Sequence, residues 1–531
     1  MKFPLTRRHE PWRAGPLFPA LPHTTSLRIC DLRAASSEVR LSIATLAGLV
    51  NRGPARIYVV ESDDDEFWLN EIDPALPRTH APAVGNELLD YLLELYRDSV
   101  GGLVLYDPTL PDTINVATTL AALRSGLVVS PAQAGALQKE PHRLPILADL
   151  RAHGWRAGLQ AYAWACGHLL PECSRELVAG LGPGIQSRLR SFLVAHRVFT
   201  CWLDARKAYC APWRHQLSER SLFKRILAHF PPGAVHLGWF VSEPFGIRLT
   251  SRAALLTLAS DHCGNLEIWS TLPARSRMAA GDDQAPARVP DRHPRPSLNE
   301  GGWGRKNTTY VSFTISDGDN LQYCQHHLLR LWNDPARGSV PLGWTISPAL
   351  QQVMPDLASF YRRTASAKDE FIAGPSGATY LLPSCLPRAQ RAAFLRLTAE
   401  YMQAMRLDSL QVLDNSGWFA MKFLNPGLQK QFSHQLAVCG LRGIFSGAGS
   451  PAPSWHRRVG IPIYQNLGLA LNPQRTLRLI RLAAKHGVRF INIYIFAWNI
   501  TPSDLRNIVE QLGEDFTVVT PGELLSLLQD A

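Results

Sequence analysis

The second half of the chain alternates between two hydrophobic periods. Short runs rich in β-branched and aromatic residues fall at 310–316, 342–347, 370–373, 409–413, 443–445, 461–464, 490–496 and 516–519. Stretches with apolar residues at helical spacing separate most of them, for example 388–405 and 472–486, and Gly487 stands where a C-cap glycine belongs. Eight strands alternating with helices in about 230 residues predict an α/β fold with a (β/α)8-like, TIM-type barrel. A seven-stranded or distorted barrel is the alternative. The first half also reads as α/β, with buried strands at 56–60 and 102–106 and an amphipathic helix at 37–50.

Between the halves, residues 273–300 carry five prolines, no aromatic residue and few apolar ones, the composition of a linker. The expected organisation is an N-terminal extension (1–24), an α/β N-terminal region (25–272, divisible into 25–135 and 136–272), the linker, and a barrel over 301–531.

Composition narrows the partners. Among 531 residues, 55 Lys plus Arg against 44 Asp plus Glu give a net charge of +11. The basic residues are scattered, mostly arginine, with no stripe interleaved with aromatics, so nucleic acid is not the expected partner. No apolar run reaches the ~18 residues of a membrane span, so a membrane is not expected either. The first 25 residues hold five prolines and no apolar core of the kind a secretory leader needs, which predicts a cytoplasmic protein. Nine widely spaced cysteines without a CxxC pair suggest free, mostly buried thiols. No GxGxxG or Walker A sequence is present, which removes the commonest nucleotide-binding readings. The acidic run Glu61-Ser62-Asp63-Asp64-Asp65-Glu66 is expected to be a solvated loop.

Candidate chemistry lies where the strands end. The runs lead into Ser316-Asp317-Gly318-Asp319-Asn320, Ser347-Pro348, Gly374-Pro375-Ser376-Gly377, Asp414-Asn415, Ser446-Gly447, Gln465-Asn466 and Trp498-Asn499. Barrel enzymes build their sites at these ends, and small hydrogen-bonding groups there suit a carbohydrate or polyol-like ligand. The competing reading is that Ser, Asn and Asp are ordinary turn and cap residues.

Several segments together resemble the GxGYxYP family, whose members are named as glycoside hydrolases. YVSFTISDGDNLQY (310–323) is similar to the family's strand with its SDGDN hallmark, and PLGWTISP (341–348) and FIAGPSGATYLLP (371–383) follow in order. TLAGLVNRGPARIYVV (45–60), YDPTLPDTINVATTLAAL (106–123), HLGWFVSEPF (236–245) and SDHCGNLEIWS (260–270) resemble its companion N-terminal part. Within the motif that names the family, Thr379 replaces the second glycine and Leu382 the second tyrosine, while Gly377, Tyr380 and Pro383 remain. A β-branched residue avoids positive φ, so a locally different loop is expected there.

The resemblance implies glycoside hydrolysis, which in its usual form needs two carboxyl groups. In extended backbone, residues i and i+2 share a face, so Asp317 and Asp319 could point together into the barrel mouth. Mutual repulsion would raise one pKa and divide acid from base. The initial assignment makes Asp319 the acid/base and Asp317 its ionised partner, with the reverse order open. Asn320 would orient a sugar hydroxyl. Ser376, Tyr380, Asp414, Asn415 and Trp498 are the further substrate-binding candidates, with Glu243 reaching in from the N-terminal region; Asp414 could also supply the second carboxylate. His262, His326 and His327 show no metal spacing and read as surface or core residues. No cofactor is expected, although Asp317, Asp319 and Asn320 offer hard oxygen ligands to Mg²⁺ or Ca²⁺. Two rival functions stay open: a metal-assisted hydrolase or lyase in a biosynthetic pathway, and a non-catalytic carbohydrate-binding protein.

Overall fold

The computed structural model describes residues 10–207, 218–272, 308–414, 416–417, 420–421, 424–450 and 453–531. The proline-rich stretch and Asn415 lie outside them. The chain forms two compact units, Met1–Arg275 with Gln352–Asp356, and Ser276–Gln351 with Leu357–Ala531.

The first unit contains three small parallel sheets. Strand Ser26–Asp31 lies between Ala55–Val60 and Arg78–His80; Gly102–Leu105 lies between Gly126–Val129 and Ile146–Asp149. The third sheet runs Leu256–Ala259, Val235–Gly238, Leu177–Gly180, Phe199–Cys201. The helix expected at 37–50 forms as Ser37–Val50, with the Ser36 side chain accepting from the Val39 amide. The acidic run is a correction to the sequence reading. It opens the helix Asp63–Glu71, where carboxylates favour the positive end of the helix dipole. Asp65 is buried and accepts from the Glu61 amide at 3.0 Å and from Ser62 Oγ at 2.9 Å. Arg188 bridges Asp65 and Glu61, each at 2.8 Å. Periodicity could not reveal this, because the partner stands more than 120 residues away in sequence.

The second unit is built on one large curled sheet. Its strands are β1 (Thr309–Ile315), β2 (Leu342–Ile346), β3 (Asp369–Ala373), β4 (Ser409–Val412), β5 (Gly443–Ser450), β6 (Ser454–Arg458), β7 (Ile461–Leu467), β8 (Leu469–Ala470), β9 (Phe490–Ile495) and β10 (Phe516–Val518). They pair in the order β6-β7-β5-β4-β3-β2-β1-β9-β8, with β10 on β1. All eight expected strands are present. β7 belongs to one edge and β8 to the other, yet they are one run of chain bent at Gly468, whose φ is +57°. The sheet therefore curls into a half-barrel. The expected eight-stranded ring is not completed by main-chain pairing among the described residues. β9 pairs with β1 directly, so the open side lies between β7 and the β9-β8 edge, and β10 lies off this path beside Thr309–Val311 of β1.

The inner face carries a polar layer. Ser312 and Thr314 of β1 donate to Asn492 Oδ1 of β9 at 2.7 and 3.1 Å. Asn492 Nδ2 donates to Asn466 Oδ1 of β7 at 2.7 Å, and Asn466 Nδ2 to Gln411 Oε1 of β4 at 2.9 Å. These five side chains are buried, and a satisfied network in low dielectric holds its members in one arrangement. The C-terminal helix Pro521–Asp530 brings Leu524, Leu525 and Leu528 against Tyr310, Ile372, Phe445 and Tyr464.

β6 and β7 form an antiparallel hairpin that polar SWHRR did not announce in sequence. Its two-residue turn, Val459-Gly460, has φ of +52° and +77°, the pattern of a type I′ turn. Valine is a strained occupant of that position, whereas Asn-Gly is favoured. Val459→Asn is expected to stabilise the protein by about 1 kcal/mol, raising the thermal midpoint by roughly 2–4 °C. A scanning calorimetry midpoint that stays level or falls would contradict the turn assignment.

Candidate functional site

The site is built where β1 ends. The segment after Ser316 is not extended: Asp317 has φ +70°, a left-handed value that Asp tolerates better than most residues. The Asn320 amide donates to the Asp317 carbonyl at 3.0 Å, closing a turn. The shared-face arrangement expected for Asp317 and Asp319 is therefore replaced by a turn.

Two contacts explain why. Gly318 is pressed onto β2, donating its amide to Thr345 Oγ1 at 3.0 Å and accepting from the Ser347 amide at 2.8 Å. Asn320 Oδ1 accepts from the Tyr323 amide at 3.0 Å, capping the helix Leu321–Gln325. The oxygen assigned to a sugar hydroxyl is thus engaged in a cap.

Asp317 is the residue on which the neighbouring side chains converge. Ser316 Oγ donates to its Oδ2, and the Trp498 indole N–H also donates to the carboxyl. Burial raises its pKa above the usual 3.8, while the bonds from Ser316 and Trp498 and the charge of His327 oppose the rise. The His327 ring stacks on Trp498 with centroids 4.4 Å apart and planes 18° from parallel. Its Nε2–H donates to the Ala497 carbonyl at 2.9 Å, which orients the ring. Tyr323 is buried at 5.8 Å from both rings, and its hydroxyl has no hydrogen-bond partner among the described residues. Burial raises the Tyr323 phenol far above its usual range, with Asp317 adding to the rise. Trp498, 46% exposed, gives this cluster an open aromatic face.

Asp319 is buried close by: burial, then Asp319 and Asp317, push the Cys324 thiol up. Sequence reasoning placed Ser316 at the strand end without a role for it, and missed Tyr323 and His327. The i, i+4 spacing of Tyr323 and His327 just after the acidic turn was the available signal; His327, read as an ordinary surface or core histidine, instead touches the site.

The other candidates are placed differently. Ser376 is buried, donating to the Leu413 carbonyl at 2.7 Å and accepting from the Leu413 amide at 3.1 Å, a tie between two loops. Asp414 is buried and accepts from the Ser384 amide at 2.9 Å. Tyr380 is buried in the loop after β3. Thr379 is not among the residues with positive φ, so its backbone needs no glycine; its buried hydroxyl lacks a hydrogen-bond partner among the described residues. Glu243 opens the helix Glu243–Arg252 of the first unit. The eight described cysteines form no disulfide among the described residues, and six of them are buried. Among the described residues no group of three His, Cys, Asp or Glu is disposed to hold a metal ion. Among the described residues no helix is long and apolar enough to cross a membrane.

Comparison with known proteins places the chain. The model "GxGYxYP_N 1st domain" matches residues 26–77, the second domain 100–173 and the third 175–271. The "GxGYxYP putative glycoside hydrolase C-terminal domain" matches 307–529. No curated protein matches the chain. A crystal structure described as a "putative hydrolase" from Bacteroides thetaiotaomicron VPI-5482 has the same fold, with a TM-score of 0.78 at 21% identity over 99% of this chain and 98% of that one. A "putative polysaccharide deacetylase" from Mycobacterium smegmatis reaches a TM-score of only 0.30 at 13% identity, over 43% of this chain and 93% of that one. The four matches run in order along most of the sequence, and the chain belongs to the GxGYxYP family.

Proposed function

We propose that the protein hydrolyses a glycosidic bond in a carbohydrate or polyol-like conjugate, with Asp317 as acid/base and Asp319 as its ionised partner. The observation that carries this reading is the carboxyl of Asp317, whose pKa burial raises, held by two donors beside the open face of Trp498. A carboxyl whose pKa is raised stays protonated to higher pH than an ordinary one and can give its proton to the leaving oxygen as the C–O bond breaks. The family's name supports the same class of reaction. The roles are the reverse of the initial assignment, because the environment of Asp317 disfavours charge. Trp498 would stack on a sugar ring, and His327 would steady its indole.

The test is turnover of aryl glycosides and oligosaccharides, with kcat/KM followed against pH. The protonated form of Asp317 is the active acid, so activity falls as pH rises through its pKa. Ser316→Ala removes a bond that favours the ionised carboxyl, so the pKa rises further and the alkaline limb moves to higher pH. An alkaline limb unmoved in Ser316→Ala rejects Asp317 as the acid. Saccharide-dependent stabilisation without turnover would make the protein a binder instead, and activity abolished by chelation would favour the metal-assisted reading.

A further inference from the structure

The opposite end of the curled sheet carries a second feature. A pocket of about 750 Å³ opens beside the N-terminal ends of β3, β4, β5 and β7. That volume is in the range of small-molecule sites. β3 alone spans five residues, roughly 15 Å, so this pocket and the turn at Asp317 stand at different ends of the strands.

Three carboxylates line it, and each has its own partner. Asp369 is held by Arg337 at 2.6 Å and by the Trp344 indole N–H at 2.8 Å. Asp408 is held by Arg442 at 2.6 Å, and Glu370 accepts from the Gly522 amide at 2.7 Å with Arg442 at 3.9 Å. Two further guanidiniums, Arg362 and Arg406, line the same pocket and form no ion pair with any described residue. Arg362 closes the helix Pro355–Arg363 and is half-buried; burial and the charge of Arg406 hold it below its usual range. Arg406 sits just beyond the helix Arg388–Ala404 at φ +50°, a position where glycine or asparagine would be the easy occupant. On the rim, the strained turn residue Val459 is 58% exposed. Two like charges facing one cavity repel, and a dianion between them removes that repulsion.

We propose that this pocket binds an organic phosphate, its phosphoryl group held between Arg362 and Arg406 and its carbon portion resting against Val459 and Ile461. Guanidinium forks match phosphate oxygens in charge and geometry, and a phosphate monoester carries close to two negative charges at neutral pH. The site is independent of the proposed glycosidic chemistry.

The test uses the full-length protein with phenyl phosphate as the probe and inorganic phosphate and phenol as comparators, read by calorimetric binding and thermal shift at constant ionic strength. Phenyl phosphate is expected to bind saturably and more tightly than inorganic phosphate. Arg406→Gly removes the guanidinium while relieving the left-handed backbone, so folding is not at risk, and it should weaken binding at least tenfold; Arg362→Gln should do the same. Arg406→Lys should retain part of the affinity. Unchanged affinity in Arg406→Gly and Arg362→Gln, or no saturable binding at millimolar probe, overturns the proposal. Equal stabilisation by inorganic and phenyl phosphate that survives both substitutions means an adventitious ion only, and overturns it too.

Discussion

Asp317→Asn is expected to lower kcat on a glycoside substrate by about 10²–10⁴-fold while the protein stays folded. Asparagine keeps an oxygen to accept from Ser316 and Trp498 but has no proton of the right acidity to give. The stability side has a definite sign. The folded-state pKa of Asp317 is raised above the usual 3.8. This carboxyl therefore contributes most to stability below that ordinary value, and the contribution is lost as pH rises through the folded one. Above the folded-state pKa the ionised, buried carboxylate is a burden that asparagine lacks. The variant should melt at or above the wild-type temperature at pH 7 and show no such gain at pH 3. Wild-type kcat in this variant, or activity lost only in step with unfolding, would remove Asp317 from the chemistry.

Much of the architecture was legible because hydrophobic periods report burial directly. Helix Ser37–Val50 and the buried strands of the second unit carry near-continuous apolar runs, and turn residues bracket them. The longer helices emerged almost residue for residue: Arg388–Ala404 with Met405 as its C-cap, and Pro473–Lys485 between caps Asn472 and His486. What stayed hidden was set by contacts remote in sequence. β6 is polar and half-exposed, and it exists because the Val459-Gly460 turn folds it back on β7. The place of β10 beside β1 is a matter of pairing partner, which no local pattern encodes. The start of the helix at Asp63 is tied to a distant arginine, Arg188, which donates to Asp65 and pairs with Glu61.

The site was legible in location more than in roles. The end of β1 was expected to collect polar groups, and both acids lie there, buried beside Ser316. Their relation was misjudged, since alternation along a strand says nothing about a chain that turns. Asn320 and Ser376 look like ligand-binding groups in sequence but are engaged by backbone amides and carbonyls, the ordinary fate of small polar residues at element ends. Trp498 was a candidate pocket aromatic, and it stands beside Asp317. Its stacking partner His327 was not, since 170 residues separate His327 from the carbonyl of Ala497 that orients it.

The glycine between the two acids decides whether the site exists at all. A Cβ on Gly318 would stand 1.7 Å from the Thr345 carbonyl oxygen and 2.6 Å from the Ile346 nitrogen. These are main-chain atoms of β2, so no rotamer change can relieve the clash. Gly318→Ala must part the end of β1 from β2, breaking the bonds to Thr345 Oγ1 and the Ser347 amide. Overpacking against backbone at this distance belongs to the severe class, about 3–5 kcal/mol, or a fall of roughly 10 °C in the thermal midpoint of a unit this size. Any folded remainder should be inactive, since Asp317 and Asp319 flank the displaced residue. Gly443→Ala supplies the control. There a Cβ meets the terminal methyl groups of Leu525 at 2.7 and 2.9 Å, which are free to shift, so the same substitution should cost about 1 kcal/mol and leave turnover intact. Equal midpoints for the two variants would show that close approach to the β2 backbone is not what holds the turn. A large fall confined to Gly318→Ala would show that the glycine of the acidic motif is fixed by the steric contact of two strands, whatever reaction the neighbouring carboxylates perform.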